Sequence, residues 1–383
     1  MQKPIYLDYA ATTPVDPLVA DKMMKHLTMD GVFANPASRS HLYGWQAEAA
    51  VESARKQVAT LLNADTREVV WTSGATEANN LAIKGVAIAR ASKGRHLITS
   101  KSEHKAVVDS FLYLEDQGFD VTWLSPRASG EVHIDDVRQA LRPDTILLSL
   151  MHVNNETGAI TDVYEIAELA KAEGVIFHID AAQSAGKLSL DVQVLQADLI
   201  SFCAHKIYGP KGIGALFVRR NPDFSLPAQI HGGGHERGMR SGTLATHQIV
   251  AMGESFEIAQ NVQSQEQDRI KCLKMLFVDK ISGLDALSIN GDLQGSIAGI
   301  LNVSFAGLDG QVLLSALPGL AISSGSACTS ATMSPSHVLQ SMGVDEQLAL
   351  GALRFSFGRY TSEQDVLSAA KMLVEAVTKM TAV

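Results

Sequence analysis

The sequence predicts an α/β fold: a mostly parallel sheet covered by helices on both faces, followed by a smaller α+β unit. Three observations carry this expectation. Apolar runs of strand length alternate with helix-period segments from residue 68 to about residue 202. Candidate functional residues fall just after those runs, at His104, Asn155, Asp180 and Lys206, where open α/β sheets gather their ligands. Past residue 282 the alternation gives way to shorter, mixed elements. With 46% hydrophobic residues in 383, the chain has ample material for a large core and more than one domain.

In chain order, residues 1–14 read as an extended arm. Pro14 and Pro17 open a helix that runs to about His26. Asn35-Pro36-Ala37-Ser38 is a polar loop. A second helix covers 44–62, with Ala47, Ala50, Val51, Ala54, Val58 and Leu61 at helical spacing. Strands are expected at 68–72, 96–100, 121–124, 145–151, 175–180, 197–202 and 213–219. Helices are expected at 77–91, 105–117, 134–141 and 163–172. Helical sequence then covers 248–282. Strands follow at 299–305, 321–323 and 352–357, with helices at 310–317, 336–342 and 362–378.

Ser201-Phe202-Cys203-Ala204-His205-Lys206-Ile207-Tyr208-Gly209-Pro210 sets a His-Lys pair where a strand hands over to a loop. A lysine there is either a surface residue or a buried amine with a lowered pKa, able to attack an aldehyde. The preceding strand, Val175-Ile176-Phe177-His178-Ile179-Asp180, ends in a carboxylate, and Gln183 follows one turn later. A carboxylate and an amine on successive strand ends suit a pyridine aldehyde cofactor, whose ring nitrogen the carboxylate keeps protonated. Ser73-Gly74-Ala75-Thr76 opens a helix whose first N–H groups, with the Thr76 hydroxyl, can seat a phosphate. The plainer alternative is a helix capped by Ser73 or Thr76. Arg354 lies among strand-like apolar residues and needs an anion, either a substrate α-carboxylate or an internal partner. Cys328 lies in Ser323-Ser324-Gly325-Ser326-Ala327-Cys328-Thr329-Ser330, whose small polar residues predict an exposed loop. It reads as a sulfur acceptor or an incidental thiol. The loop from His231 to Thr243 holds two histidines and a glutamate among glycines, a poor preset for a metal, and no metal site is expected.

Six stretches together resemble the cysteine desulfurases of the NifS/IscS type, which are fold-type I pyridoxal-phosphate enzymes of the class V aminotransferase family. They are Tyr6-Leu7-Asp8-Tyr9-Ala10-Ala11-Thr12-Thr13, Thr72-Ser73-Gly74-Ala75-Thr76-Glu77, Met151-His152-Val153-Asn154-Asn155-Glu156, the Lys206 stretch, Arg240-Ser241-Gly242-Thr243 and the Cys328 loop. The resemblance runs along nearly the whole chain. It implies a large domain at 15–255 built on a mostly parallel seven-stranded sheet, with the strand at 213–219 antiparallel. It implies a small domain from residues 1–14 and 256–383, carrying the Cys328 loop. The cofactor it implies is pyridoxal 5'-phosphate, carried by Lys206, with Asp180 on the pyridinium and His104 stacked on the ring. Gln183 and Asn155 then tune the ring oxygen and orient the substrate. Gly74, Ala75, Thr76, His205, the residue at Cys203 and, from a second copy, Thr243 then hold the phosphate.

The implied reaction takes L-cysteine to L-alanine, with sulfur held as a persulfide on Cys328 for acceptor proteins of iron–sulfur cluster assembly or tRNA thiolation. The implied assembly is a homodimer. Cys203 departs from the family, which usually has a hydroxyl residue there, so a looser phosphate grip is expected. The chain ends at Val383, earlier than longer relatives, and weaker docking to an iron–sulfur scaffold is expected. Selenocysteine lyase, a related aminotransferase, or a sulfur-delivery adaptor active only in a complex remain alternatives.

Net charge is −9 and no basic run stands out, so no direct nucleic-acid binding is expected. The N-terminus lacks a signal-peptide pattern, and the longest stretch without charge, 310–344, is broken by Ser, Thr, Gly and Pro, so no membrane span is expected. Three cysteines do not make a disulfide framework, and a reducing cytoplasm fits.

Overall fold

A computed structural model describes residues 3–221, 224–324 and 335–381. Its largest sheet has seven strands, in the order Val69–Thr72, Gly214–Val218, Leu199–Cys203, Ile176–Asp180, Thr145–Met151, His96–Ser100 and Asp120–Leu124. Gly214–Val218 runs antiparallel to both neighbours, and the other pairings are parallel. The central strands are buried along their whole length, which is why they read as apolar runs rather than alternating ones. One face packs against Val51, Val58 and Leu62 of the helix Leu42–Leu62 and Ile249 and Phe256 of a later helix. The other packs against Leu81 and Val86 of Ala75–Arg90 and Phe111 of Lys105–Asp116. This is the expected architecture, and the parallel strands point their carboxyl ends to one edge.

Thr246–Ile281 is one helix of 36 residues. Its first half, with Ile249 and Phe256, serves the large sheet, and its second half, with Ile270, Phe277 and Ile281, serves a separate core. That core lies against a four-stranded sheet ordered Ser323–Ser324, Ala352–Ser356, Ile300–Phe305, Leu287–Ile289. Phe277 sits between Phe355 and Phe357, with ring centroids 4.7 and 5.6 Å away. The last helix, Glu363–Thr381, closes this core with Val366, Leu373 and Val377.

The N-terminal arm is tied at several points. Ile5–Tyr6 pairs in parallel with Leu320–Ala321, Asp8 bridges to Ser356, and Thr13 N–H donates to the His205 carbonyl at 2.9 Å. The arm thus joins the small sheet to the Lys206 loop. The single strand expected at 321–323 is instead two short strands in different sheets, one pairing with the arm and one with Ala352–Ser356. Ile5–Tyr6, Leu287–Ile289 and the helix Glu346–Leu350 were not expected from the sequence, because their pairing or packing partners lie far along the chain or their runs are too short to show a period.

Candidate active site

Asp180 is the last residue of its strand, and the neighbouring strand pairs Ser201 with it. Five residues after Ser201 the chain reaches Lys206, so the carboxylate and the amine open into the same space. That space is a cavity of about 500 Å³, within the range of cofactor sites. Gly74, Ala75, Thr76, His104, Asn155, Asp180, Gln183, Cys203, His205, Lys206 and Arg354 all line it. Thr243 does not line it and is exposed on its own chain. Cys328 lies outside the described residues.

At one end of the cavity the helix Ala75–Arg90 begins. Its N-cap is Gly74, and no side chain caps it. The alternative of a helix capped by Ser73 or Thr76 is therefore overturned. Ser73 N–H is instead taken by Glu77 Oε2 at 2.8 Å, and Glu77 is held by Arg240 Nε at 2.8 Å. Gly74 has φ 156°, and a Cβ on Gly214 would meet Gly74 Cα at 2.7 Å, so glycine at 214 lets this turn pass close to the sheet. Cys203 is 2% exposed, and burial pushes its thiol up to about 11. It is a neutral thiol lining the cavity.

Asp180 is 5% exposed, and two donors fix it: Asn79 Nδ2 to Oδ2 at 2.7 Å and Ala182 N–H to Oδ1 at 2.9 Å. Lys206 Nζ donates to the carbonyls of Ala10 at 2.5 Å and Ala11 at 2.7 Å, so the arm supplies acceptors for the amine. Gln183 Nε2 shares the Ala10 carbonyl at 2.9 Å, and Lys187 Nζ donates to Gln183 Oε1 at 3.3 Å. Burial, then the nearby Lys206, lowers the Lys187 amine to about 8.

His104 caps the helix Lys105–Asp116 by accepting the Ala106 N–H on Nδ1 at 3.1 Å. A neutral ring then carries its proton on Nε2. Burial lowers its pKa, against the opposing pull of Asp180. His205 shares Nδ1 with Thr12 Oγ1 at 3.2 Å, and burial followed by Lys206 lowers it to about 4, so it is neutral at pH 7. Arg354 does have an internal partner, Asp8 Oδ1 at 2.9 Å, yet it also lines the cavity. Among the described residues, Asn155 Oδ1 and Arg354 Nε are buried without a hydrogen-bond partner. Both atoms belong to residues that line the cavity, where a bound group can meet them.

Three polar residues were not singled out from the sequence. Asn79 lies one turn into its helix among Ala78, Leu81 and Ala82, and a buried amide at an apolar position was its signal. Glu103, immediately before His104, is fully buried, and burial raises its carboxyl well above the usual range. Its Oε1 accepts the Met151 N–H at 2.7 Å. Glu156, next to Asn155, accepts from Ser336 Oγ.

The model of the aminotransferase class-V family matches residues 5–368. The chain is 58% identical over 380 residues to cysteine desulfurase IscS of Pseudomonas aeruginosa strain LESB58, covering 99% of this chain and 94% of that one. It is 57% identical over 382 residues to the IscS of Vibrio cholerae El Tor Inaba N16961, covering 100% and 95%. Among solved structures, a NifS-like protein superposes with a TM-score of 0.91 at 34% identity, covering 98% of this chain and 99% of that one. SspA in complex with cysteine superposes with a TM-score of 0.82 at 39% identity, covering 93% and 99%. The match spans all three sheets and every described wall of the cavity, and the chain belongs to the class-V aminotransferase family, among relatives of the NifS/IscS type.

Proposed function

We propose that this protein is a pyridoxal-phosphate-dependent cysteine desulfurase that converts L-cysteine to L-alanine and hands the sulfur to acceptor proteins. The observation that carries the reading is the pair Asp180 and Lys206, on adjacent strand ends and facing one cavity that begins at an uncapped helix start. That donor set fits the cofactor: free N–H groups for a phosphate, a fixed carboxylate for a ring nitrogen, an amine for an aldehyde, and the orphaned Asn155 Oδ1 beside them. When bound, pyridoxal phosphate supplies an aldehyde that takes up amines and a ring that draws electrons from the substrate α-carbon.

In this reading the protein's own groups divide the work. Gly74, Ala75, Thr76, His205 and Cys203 hold the phosphate, joined by Thr243 of a second copy. Asp180, held by Asn79 and Ala182, would keep a proton at the ring nitrogen. His104, which lines the same cavity, would face the ring and, with its proton on Nε2, would assist proton transfer. Lys206, once its amine is released, moves the α-proton between the substrate carbon and itself. Gln183 and Asn155 position ring oxygen and substrate, and Arg354 holds the α-carboxylate. The Cys328 thiolate attacks the substrate sulfur. The new S–S bond forms as the Cβ–S bond breaks, and the electron pair of that bond stays on carbon, which takes up a proton to become alanine.

We also propose a homodimer in the cytoplasm, with residues 15–255 as the large domain and 1–14 with 256–383 as the small one. Leu18, Met24, Met29, Leu42 and Trp45 are exposed apolar side chains on or beside the helices Pro17–Met24 and Leu42–Leu62. Both helices pack on Thr246–Ile281, and Thr243 leads into it. A large apolar surface beside a residue needed elsewhere is what a second copy would cover. Among the described residues, no helix is long and apolar enough to cross a membrane. Iron–sulfur assembly or a tRNA-thiolation relay is the proposed destination of the sulfur. An assay of alanine and sulfide from L-cysteine, with and without reductant, tests the activity; the reading fails if no alanine forms.

A further inference from the structure

Arg354 lies in the strand Ala352–Ser356, with its side chain 4% exposed. A guanidinium has five N–H hydrogens, and here they are unevenly used. Nη2 makes two bonds, to Asp8 Oδ1 at 2.9 Å and to Ser323 Oγ at 3.1 Å. Nη1 donates to the Asn155 carbonyl at 2.9 Å. Nε is buried and has no partner among the described residues. A guanidinium grips a carboxylate bidentately either end-on, through Nη1 and Nη2, or side-on, through Nε and Nη2. Both grips need Nη2, and both of its hydrogens are engaged.

We propose that Asp8 is a specificity-determining residue: its carboxylate competes with the substrate α-carboxylate for Nη2 of Arg354, so a two-point grip forms only by exchange. The inference rests on the proposed role of Arg354 in holding that carboxylate. Asp8 is suited to the exchange. Its side chain is 20% exposed, so it can turn toward water, whereas Arg354 cannot. Its Oδ1 also accepts from Ser323 Oγ at 2.8 Å, a bond that can outlast the loss of Nη2. The exchange keeps the buried guanidinium paired with one negative charge throughout, and an unpaired buried charge is the costly state. An amine without a carboxylate has nothing to offer Arg354 and leaves Asp8 in place. Each carboxylate ligand, product included, is held more weakly than the arginine alone would hold it, which favours release of alanine.

The test is calorimetric binding of L-alanine and of ethylamine to the holoenzyme. Asp8→Asn keeps the shape and an acceptor oxygen but removes the charge. It is expected to tighten L-alanine by about three- to tenfold and leave ethylamine unchanged. Asp8→Ser is expected to act in the same direction. If Asp8 only orients Arg354, both variants leave L-alanine binding unchanged or weaken it, and the proposal is overturned. Arg354→Gln separates the underlying reading: it should reduce L-alanine binding to the level of ethylamine. If it does not, the role given to Arg354 falls, and the role of Asp8 falls with it.

Discussion

Asn79 Nδ2 donates to Asp180 Oδ2 at 2.7 Å, reaching from the helix Ala75–Arg90 to the end of the strand Ile176–Asp180. The same helix presents its uncapped start to the cavity, so in the proposed reading one element would both seat the phosphate and aim the carboxylate. Hydrogen bonds to a charged group contribute about 1.5–3 kcal/mol. Asn79→Ala should therefore weaken cofactor retention or slow desulfuration by roughly 10- to 100-fold. Cofactor loss on dialysis and kcat measure the two effects; a variant that matches the parent in both contradicts a positioning role for Asn79.

Lys206→Ala should give protein that loses its yellow colour on dialysis and does not turn over L-cysteine. The Ala10 and Ala11 carbonyls hold this amine in place at the cavity. Lys211 also lines the cavity, so desulfuration retained in Lys206→Ala would move the chemistry to it or elsewhere.

Glu156 predicts a pH dependence of stability. Burial raises its carboxyl from 4.5 to about 7, with the Ser336 bond and Arg354 opposing. Its folded pKa lies above the unfolded one, so its contribution is fully present below about pH 4.5 and is lost as pH rises through about 7. A shift of this size corresponds to on the order of 3 kcal/mol. Glu156→Gln removes the titration. Its melting temperature relative to the parent should rise between pH 5 and pH 8. An equal difference at both pH values would show that the carboxyl does not titrate in this window.

Much of the large sheet was legible because each buried parallel strand is an unbroken apolar run and each covering helix has a clear period; the helix Val163–Ala172 falls where its period placed it. The short strands Ile5–Tyr6 and Leu320–Ala321 were not, since two residues carry no period and their pairing joins the ends of the chain. In the site, position after a strand end made His104, Asn155, Asp180 and Lys206 candidates, and the structure brings all four to one cavity. Asn79 and Asp8 were not, because their roles depend on partners 101 and 346 residues away. For Arg354 the sequence left a choice between an internal partner and a substrate α-carboxylate; the structure pairs it with Asp8 and also places it on the cavity wall.

Cys203 is the departure most open to experiment. It lines the cavity, with its thiol neutral at pH 7. Serine at this position adds a stronger donor. Cys203→Ser should slow cofactor loss on dialysis by up to roughly tenfold, the effect of one net hydrogen bond. Unchanged or faster loss would remove Cys203 from the phosphate contacts.

The central claim is that sulfur leaves L-cysteine for Cys328 at a site built on Asp180 and Lys206. Mass spectrometry of the protein after a single turnover without reductant tests it most directly. One added sulfur atom on the peptide containing Cys328 and an equal amount of alanine are expected, with both absent in Lys206→Ala and the added sulfur absent in Cys328→Ser. Alanine formed at the parent rate by Cys328→Ser, or sulfur found on Cys203 or Cys272 instead, would contradict it.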